Sequence, residues 1–295
     1  MKNIICSVLV IFTLFACKKV DLDALAFPSE KLESYQLEGY KGEVEIPDVY
    51  DIPDSLIHLF SLPSYSSETN ETYKIYALYI GDLNTISTDS IILYAHGQSK
   101  HMDNYWGRAK LLANTGGKNR YGVLMMDYRG YGMSEGKSTE MGLYEDVEVC
   151  INWLKEKGAQ PNKTFFYGYS LGAIPAIYHS AYKADFIPAK LIIESPLASV
   201  EYLTQSSTLI NVNPKFVTTL TFNNAETIKN VNIPLLWLHG VEDDYVSIDN
   251  GELIYQNHSG SYKEAHRLEN TNHTEIPESF GFGNYLKVLN EFLIK

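Results

Sequence analysis

Cysteine is scarce in this chain of 295 residues, with three in all, at Cys6, Cys17 and Cys150. Basic residues are also short: 24 lysines and arginines stand against 36 aspartates and glutamates, a net charge of -12. Phosphate binding needs a basic surface, so nucleic acid is not an expected partner. The same surface would repel anionic lipid, and any membrane association must rest on something other than charge. No apolar run reaches the roughly 20 residues with which a helix crosses a bilayer. Internal repeats and low-complexity tracts are missing too. With 45% hydrophobic and 20% charged residues, the composition excludes disorder, collagen-like repeats and a coiled coil.

The first distinct feature is at the N-terminus. Lys2 precedes a nearly unbroken apolar stretch over residues 4–15, which suits the central region of a secretory signal. It ends in Leu14-Phe15-Ala16-Cys17, followed by Lys18 and Lys19. This resembles a bacterial lipobox, in which the cysteine is lipidated and becomes the new N-terminus. Residues 1–16 are therefore expected to be a signal peptide, Cys17 a lipidation site, and the acidic residues 17–50 a lipidated tether. The alternative is an ordinary signal peptide cleaved nearby, with Cys17 incidental. Lipid chains would hold the protein at the cell envelope, on its periplasmic or outer face, each buried methylene contributing about 0.8 kcal/mol. Cys6 would leave with the signal and Cys150 would remain alone, so no disulfide is expected in the mature chain.

From residue 51 to 295, short apolar runs alternate with amphipathic stretches, the pattern of a single α/β domain with a mainly parallel sheet. Eight strands are predicted, at 56–62, 73–80, 90–95, 122–127, 164–167, 190–194, 234–238 and 265–268. The last six lack long polar alternation, as expected of strands covered on both faces. Leu143, Val147, Cys150, Ile151 and Leu154 mark one face of a helix. Glu145, Asp146 and Glu148 crowd its start, while Lys155, Lys157 and Gly158 mark its end. Further helices are predicted at 104–113 and 285–293. The 22 tyrosines are read as core and rim residues without assigned function.

The chemistry centres on Gly168-Tyr169-Ser170-Leu171-Gly172, which follows one predicted strand and opens a helix. That context is the one a nucleophile elbow requires. The turn is so tight that the residues flanking the serine must be small, and the helix N-terminus then aims backbone N–H groups at the reaction centre. Pro175 should kink this helix early. A nucleophilic serine needs a base, and the base an orienting acid. His239-Gly240-Val241-Glu242-Asp243-Asp244 follows the strand at 234–238, and Asn270-Thr271-Asn272-His273 follows the strand at 265–268. Both loops lie beyond the C-terminal ends of strands, where open parallel sheets place their ligands. His273 is thus the candidate base, and the first loop offers Asp243 and the adjacent Asp244 as candidate acids. Backbone N–H groups of Leu171 and Gln98, the latter in the loop His96-Gly97-Gln98-Ser99, are the candidate oxyanion donors. His58, His179, His258 and His266 lack this context and are read as structural or solvated.

Two other patterns are set aside. His96, His101 and Asp103 are clustered, but no further ligand sits at metal-binding spacing, and no metal is expected. Gly130, Gly132 and Gly136 are spaced one residue too widely for a dinucleotide fingerprint, and no nucleotide cofactor is expected.

These motifs, taken in order, resemble those of the α/β-hydrolase family over roughly residues 50 to 295. The resemblance rests on His96-Gly97, on Asp127-Tyr128-Arg129-Gly130-Tyr131-Gly132 with Ser134-Glu135-Gly136, on the elbow, on His239-Gly240 with Asp243, and on His273. It is similar in particular to the branch of small single-domain serine hydrolases that includes depalmitoylating thioesterases and many bacterial esterases. The resemblance implies an eight-stranded α/β-hydrolase fold and an acyl-enzyme route without cofactor. It also implies structural roles for Asp127 and Arg129 beside the site. The spacing of Asp243 three residues after Gly240 matches the family pattern for the acid. Hydrolysis of a small acyl ester is the expected reaction, with thioester, peptide or amide hydrolysis as alternatives on the same triad. A catalytically silent surface binding protein is the alternative of another class. The segment between Pro196 and Ile233 is expected to give short helices rather than an independent cap. No obligate protein partner is implied.

Overall fold

The computed structural model describes residues 26–207 and 218–295. Eight strands form one sheet: β1 (Ile57–Ser66), β2 (Glu71–Ile80), β3 (Ile91–Ala95), β4 (Gly122–Met126), β5 (Thr164–Tyr169), β6 (Lys190–Glu194), β7 (Leu235–Gly240) and β8 (Lys263–Leu268). Their order is β1-β2-β4-β3-β5-β6-β7-β8. β1 and β2 form an antiparallel hairpin, and β2 pairs antiparallel with β4. From β4 to β8 every pairing is parallel. This is the α/β-hydrolase fold. The central strands β3 to β5 are wholly buried, so they read as unbroken apolar runs. β8 differs from the expectation of a strand covered on both faces. It is the sheet edge and mostly half-buried, so its sequence Lys-Glu-Ala-His-Arg-Leu is polar.

Helices cover the sheet's two faces. On one side α1 (Met102–Ala113) contributes Leu111 and Leu112 to the apolar cluster that also holds Leu78, Ile80 and Ile92. On the other, α2 (Glu140–Glu156) and α3 (Ala173–Tyr182) bury Leu143, Val147, Cys150, Ile151, Leu154, Ile174 and Ile177. The predicted face of α2 is thus the buried one. Its start is earlier than predicted, because Thr139 caps it by accepting from Gly142 N at 3.0 Å. Asp146 consequently lies a turn inside, where it binds Arg129 and Ser64 rather than serving the helix dipole. Further α-helices among the described residues are α4 (Val200–Ser207), α5 (Asn224–Thr227), α6 (Asp249–Asn257), α7 (Ile276–Ser279) and α8 (Phe282–Ile294).

Residues 26–50 differ from the expected tether. Their sparse apolar residues hide a docking role carried by polar groups. Gln36 and Leu37 donate their backbone N–H to the Asp103 carboxylate at 2.9 and 3.0 Å. Tyr35 donates to Asp127 at 2.7 Å, and Glu38 accepts from Trp106 and Lys110 at 2.8 and 2.7 Å. Glu43 pairs with buried Arg108, while Ala26 and Val44 are buried in the two core clusters. The segment is part of the domain. Residues 1–16, Cys17 and residues 18–25 lie outside the described residues.

Candidate active site

β5 ends at Tyr169, and a single tight turn, Ser170–Gly172, leads into α3. Ser170 has φ +51°, a left-handed conformation unusual for a side-chain-bearing residue, and is 2% exposed. The flanking glycines are required by contact. A Cβ at Gly172 would lie 2.0 Å from Ala95 O, and one at Gly168 would lie 2.5 Å from Ala173 Cα. Pro175 does not have the expected effect. It is the third residue of α3, in the first turn, where its missing N–H has no helical partner to lose.

Asp243 and His273 are brought to this serine from the loops after β7 and β8. His273 Nε2 lies 3.0 Å from Ser170 Oγ, and its Nδ1 lies 2.7 Å from Asp243 Oδ2. Asp243 is itself restrained: its Oδ1 accepts from Tyr245 N and Val246 N at 3.0 and 2.7 Å. Burial pushes the Asp243 carboxyl up, but hydrogen bonds from His239 and His273 outweigh it and hold the group well below the usual carboxylate range. Asp244 is exposed and only its backbone is engaged, donating to Asn272 Oδ1 at 3.1 Å.

Gln98 lines the same cleft as Ser170, and Leu171 follows Ser170 in the chain. Gly97, Gln98, Ser170 and His273 line a cleft of about 410 Å³. The Gln98 carbonyl accepts from Tyr131 Oη at 2.6 Å, while its side chain donates to Tyr245 Oη. Leu171 is the second residue of the turn and is buried. His96 is placed apart from the cleft, 3.1 Å from Asp127 Oδ1 and 2.7 Å from Gly97 O. Asp103 is occupied by the N-terminal segment. Among the described residues, no group of three metal-ligating side chains converges.

Several site residues had no signal in the sequence. Tyr169 and Tyr245 hold their rings 5.4 and 5.1 Å from His273, although tyrosine was assigned no role. Asn272 Oδ1 accepts from His273 N at 2.7 Å as well as from Asp244 N, tying the two loops together. Arg108, fully buried in α1, donates to Thr274 O at 2.9 Å, pairs with Glu43 and Glu194, and lies 4.1 Å from the Tyr169 ring. Burial pushes the Glu43 carboxyl up, partly offset by Arg108.

A family profile described as serine aminopeptidase, S33, matches residues 86–229, just under half of the chain. The human α/β-hydrolase domain-containing protein 17B is 26% identical over 203 residues, covering 68% of this chain and 65% of its own length. The lysophosphatidylserine lipase ABHD12 of Macaca fascicularis is 30% identical over 185 residues, covering 57% of this chain and 45% of the relative. The chain therefore spans just under two thirds of the human relative. Among solved structures, the Pyrococcus furiosus esterase Pf2001 superposes with a TM-score of 0.63 at 18% identity, over 82% of this chain and 92% of that one. Est1E of Butyrivibrio proteoclasticus gives 0.60 at 13% identity, over 79% and 97%. The matched relatives and the superposed esterases share the α/β-hydrolase fold with this chain. No helix among the described residues is long and apolar enough to cross a membrane.

Proposed function

We propose that this protein is a serine hydrolase that cleaves small carboxylic esters through an acyl-enzyme intermediate. The observation that carries the reading is the continuous chain from Ser170 Oγ through His273 to Asp243, with contacts of 3.0 and 2.7 Å. In this mechanism Ser170 attacks the ester carbonyl and His273 Nε2 takes its proton. Asp243 keeps the Nδ1 proton in place and stabilises the imidazolium. The backbone N–H groups of Gln98 and Leu171 receive the developing oxyanion, each contributing about 100- to 1,000-fold in rate. His273 returns the proton to the leaving alkoxide, and water, activated by the same imidazole, releases the acid. The esterase neighbours and the lipase relative favour an ester. The aminopeptidase description of the family profile favours peptide hydrolysis as the second reading.

The test is labelling by a fluorophosphonate probe with turnover of p-nitrophenyl esters. Wild type should label and turn over, and Ser170→Ala should do neither while its circular dichroism is unchanged. An unlabelled wild type would instead favour a silent binding protein. Localisation belongs to the same proposal: Cys17 carries lipid that holds the domain at the cell envelope.

A further inference from the structure

Behind the acid stands a buried imidazole that the proposed mechanism does not use. His239 is the penultimate residue of β7 and has no solvent exposure. Trp237, two residues earlier on the same strand face, points its indole Nε1 at His239 Nδ1 at 3.2 Å. An indole nitrogen can only donate. His239 Nδ1 must therefore accept, and the ring proton sits on Nε2. That nitrogen faces two oxygens, Val246 O at 2.9 Å and Asp243 Oδ2 at 3.3 Å. Asp243 Oδ2 is the same oxygen that receives His273 Nδ1. Trp237, His239, Asp243, His273 and Ser170 thus form one connected line in which donation from both ends converges on the Asp243 carboxylate.

We propose that His239 is a positioning residue for the acid. Its Nε2–H, oriented by Trp237, fixes both the Asp243 carboxylate and the Val246 end of its loop, so that the proton between Asp243 and His273 stays on His273. The proposal rests on the serine-hydrolase reading and adds to it a part outside the triad. Carbonyl and carboxylate share one N–H, so His239 acts on loop geometry and on charge together. Removing the donor leaves the Asp243 charge less neutralised, which favours the imidazolium form of His273. A purely structural loosening would lengthen the Asp243–His273 contact and disfavour that form. The two roles therefore move the acid limb of the kcat/KM profile in opposite directions. Other groups facing His273 are the Tyr169 and Tyr245 rings, the Glu43–Arg108 pair behind Tyr169, and Asp244 and Glu275 at the cleft. Facing His239 from outside are Glu252 of α6 and Arg267 of β8, which pair with each other. None of these is altered by the test.

Nitrogen-15 NMR of the wild-type imidazoles at neutral pH should show His239 protonated at Nε2 alone. A proton on Nδ1 overturns the proposal, whatever the variants do. His239→Leu should lower kcat at least tenfold, about 1.4 kcal/mol, with KM little changed. Its acid limb should move up by about half a unit to one unit. His239→Gln, which keeps an N–H donor at similar reach, should restore the limb and most of the rate. An acid limb in the Leu variant that is unmoved or moves down overturns the proposal, as does a Gln variant no better than Leu. If the Leu variant does not fold, the tautomer and the rate of the Gln variant decide. Fluorophosphonate labelling of wild-type Ser170 separates the two levels: a labelled wild type with an unmoved limb sinks only the role of His239, and an unlabelled wild type sinks both readings.

Discussion

Asp243 and Asp244 are adjacent, chemically identical and in opposite situations. The first is buried with every acceptor direction occupied, whereas the second turns its carboxylate to solvent. Replacing a triad acid by its amide presents the wrong group to the imidazole and costs about 10,000-fold in turnover. We expect Asp243→Asn to lose several orders of magnitude in kcat on p-nitrophenyl butyrate, and Asp244→Asn to stay within about tenfold of wild type. A reversed pattern in steady-state rates would make Asp244 the acid. The resemblance to the family pattern, with its acid three residues after the glycine, pointed to Asp243, and loop geometry alone allowed either neighbour. What spacing could not convey is the set of long-range partners. Arg108 precedes Thr274 by 166 residues, and nothing local to α1 marks it as a buried cation. Asn272 was part of a recognised stretch, yet its role depends on Asp244 arriving from another loop.

At the scale of elements, α2 and α3 are joined through His179, whose Nε2–H donates to Tyr144 O at 2.8 Å. Burial pushes this imidazole down to about 4 from its ordinary 6.5. The folded chain therefore binds the proton more weakly than the unfolded one. Stability tied to His179 is complete above about pH 6.5 and is lost as pH falls toward about 4, at most roughly 3 kcal/mol. Urea melts at pH 7, 5.5 and 4.5 should show this decline, and His179→Gln, which can keep the bond without titrating, should flatten it. An equal slope in the variant would place the acid sensitivity elsewhere. The central strands β3 and β4 were readable because burial on both faces leaves a plain apolar run. The extent of β1 and β2 was less so, since a hairpin edge mixes exposed and buried positions. The docked segment 26–50 was missed because it is held by carboxylates and backbone groups, which leave no hydrophobic period.

For the whole molecule, that segment decides where the domain starts. A chain beginning at residue 26 should label with fluorophosphonate as the longer protein does. One beginning at 52 uncovers the outer face of α1 and removes the Glu43 partner of Arg108. It should aggregate or label weakly, as size-exclusion chromatography and gel fluorescence would show. Retained labelling in a monomeric 52–295 chain would reduce the segment to an accessory. Cys17→Ser tests the anchor separately: the protein should move from the membrane to the soluble fraction with its esterase rate unchanged, and continued sedimentation with membranes would refute lipidation at this position.

The strand order carries a consequence for how the protein is made. From β5 onward, each new strand joins the edge left by the one before it, β6 on β5, β7 on β6 and β8 on β7. Ser170 thus follows β5 in mid-chain, whereas His273, its proposed base, follows the outermost strand β8. A ribosome releases the chain from its beginning, so the proposed nucleophile emerges about a hundred residues before the proposed base. On the proposed mechanism, a chain that stops short of β8 would lack its base and is expected to be inert.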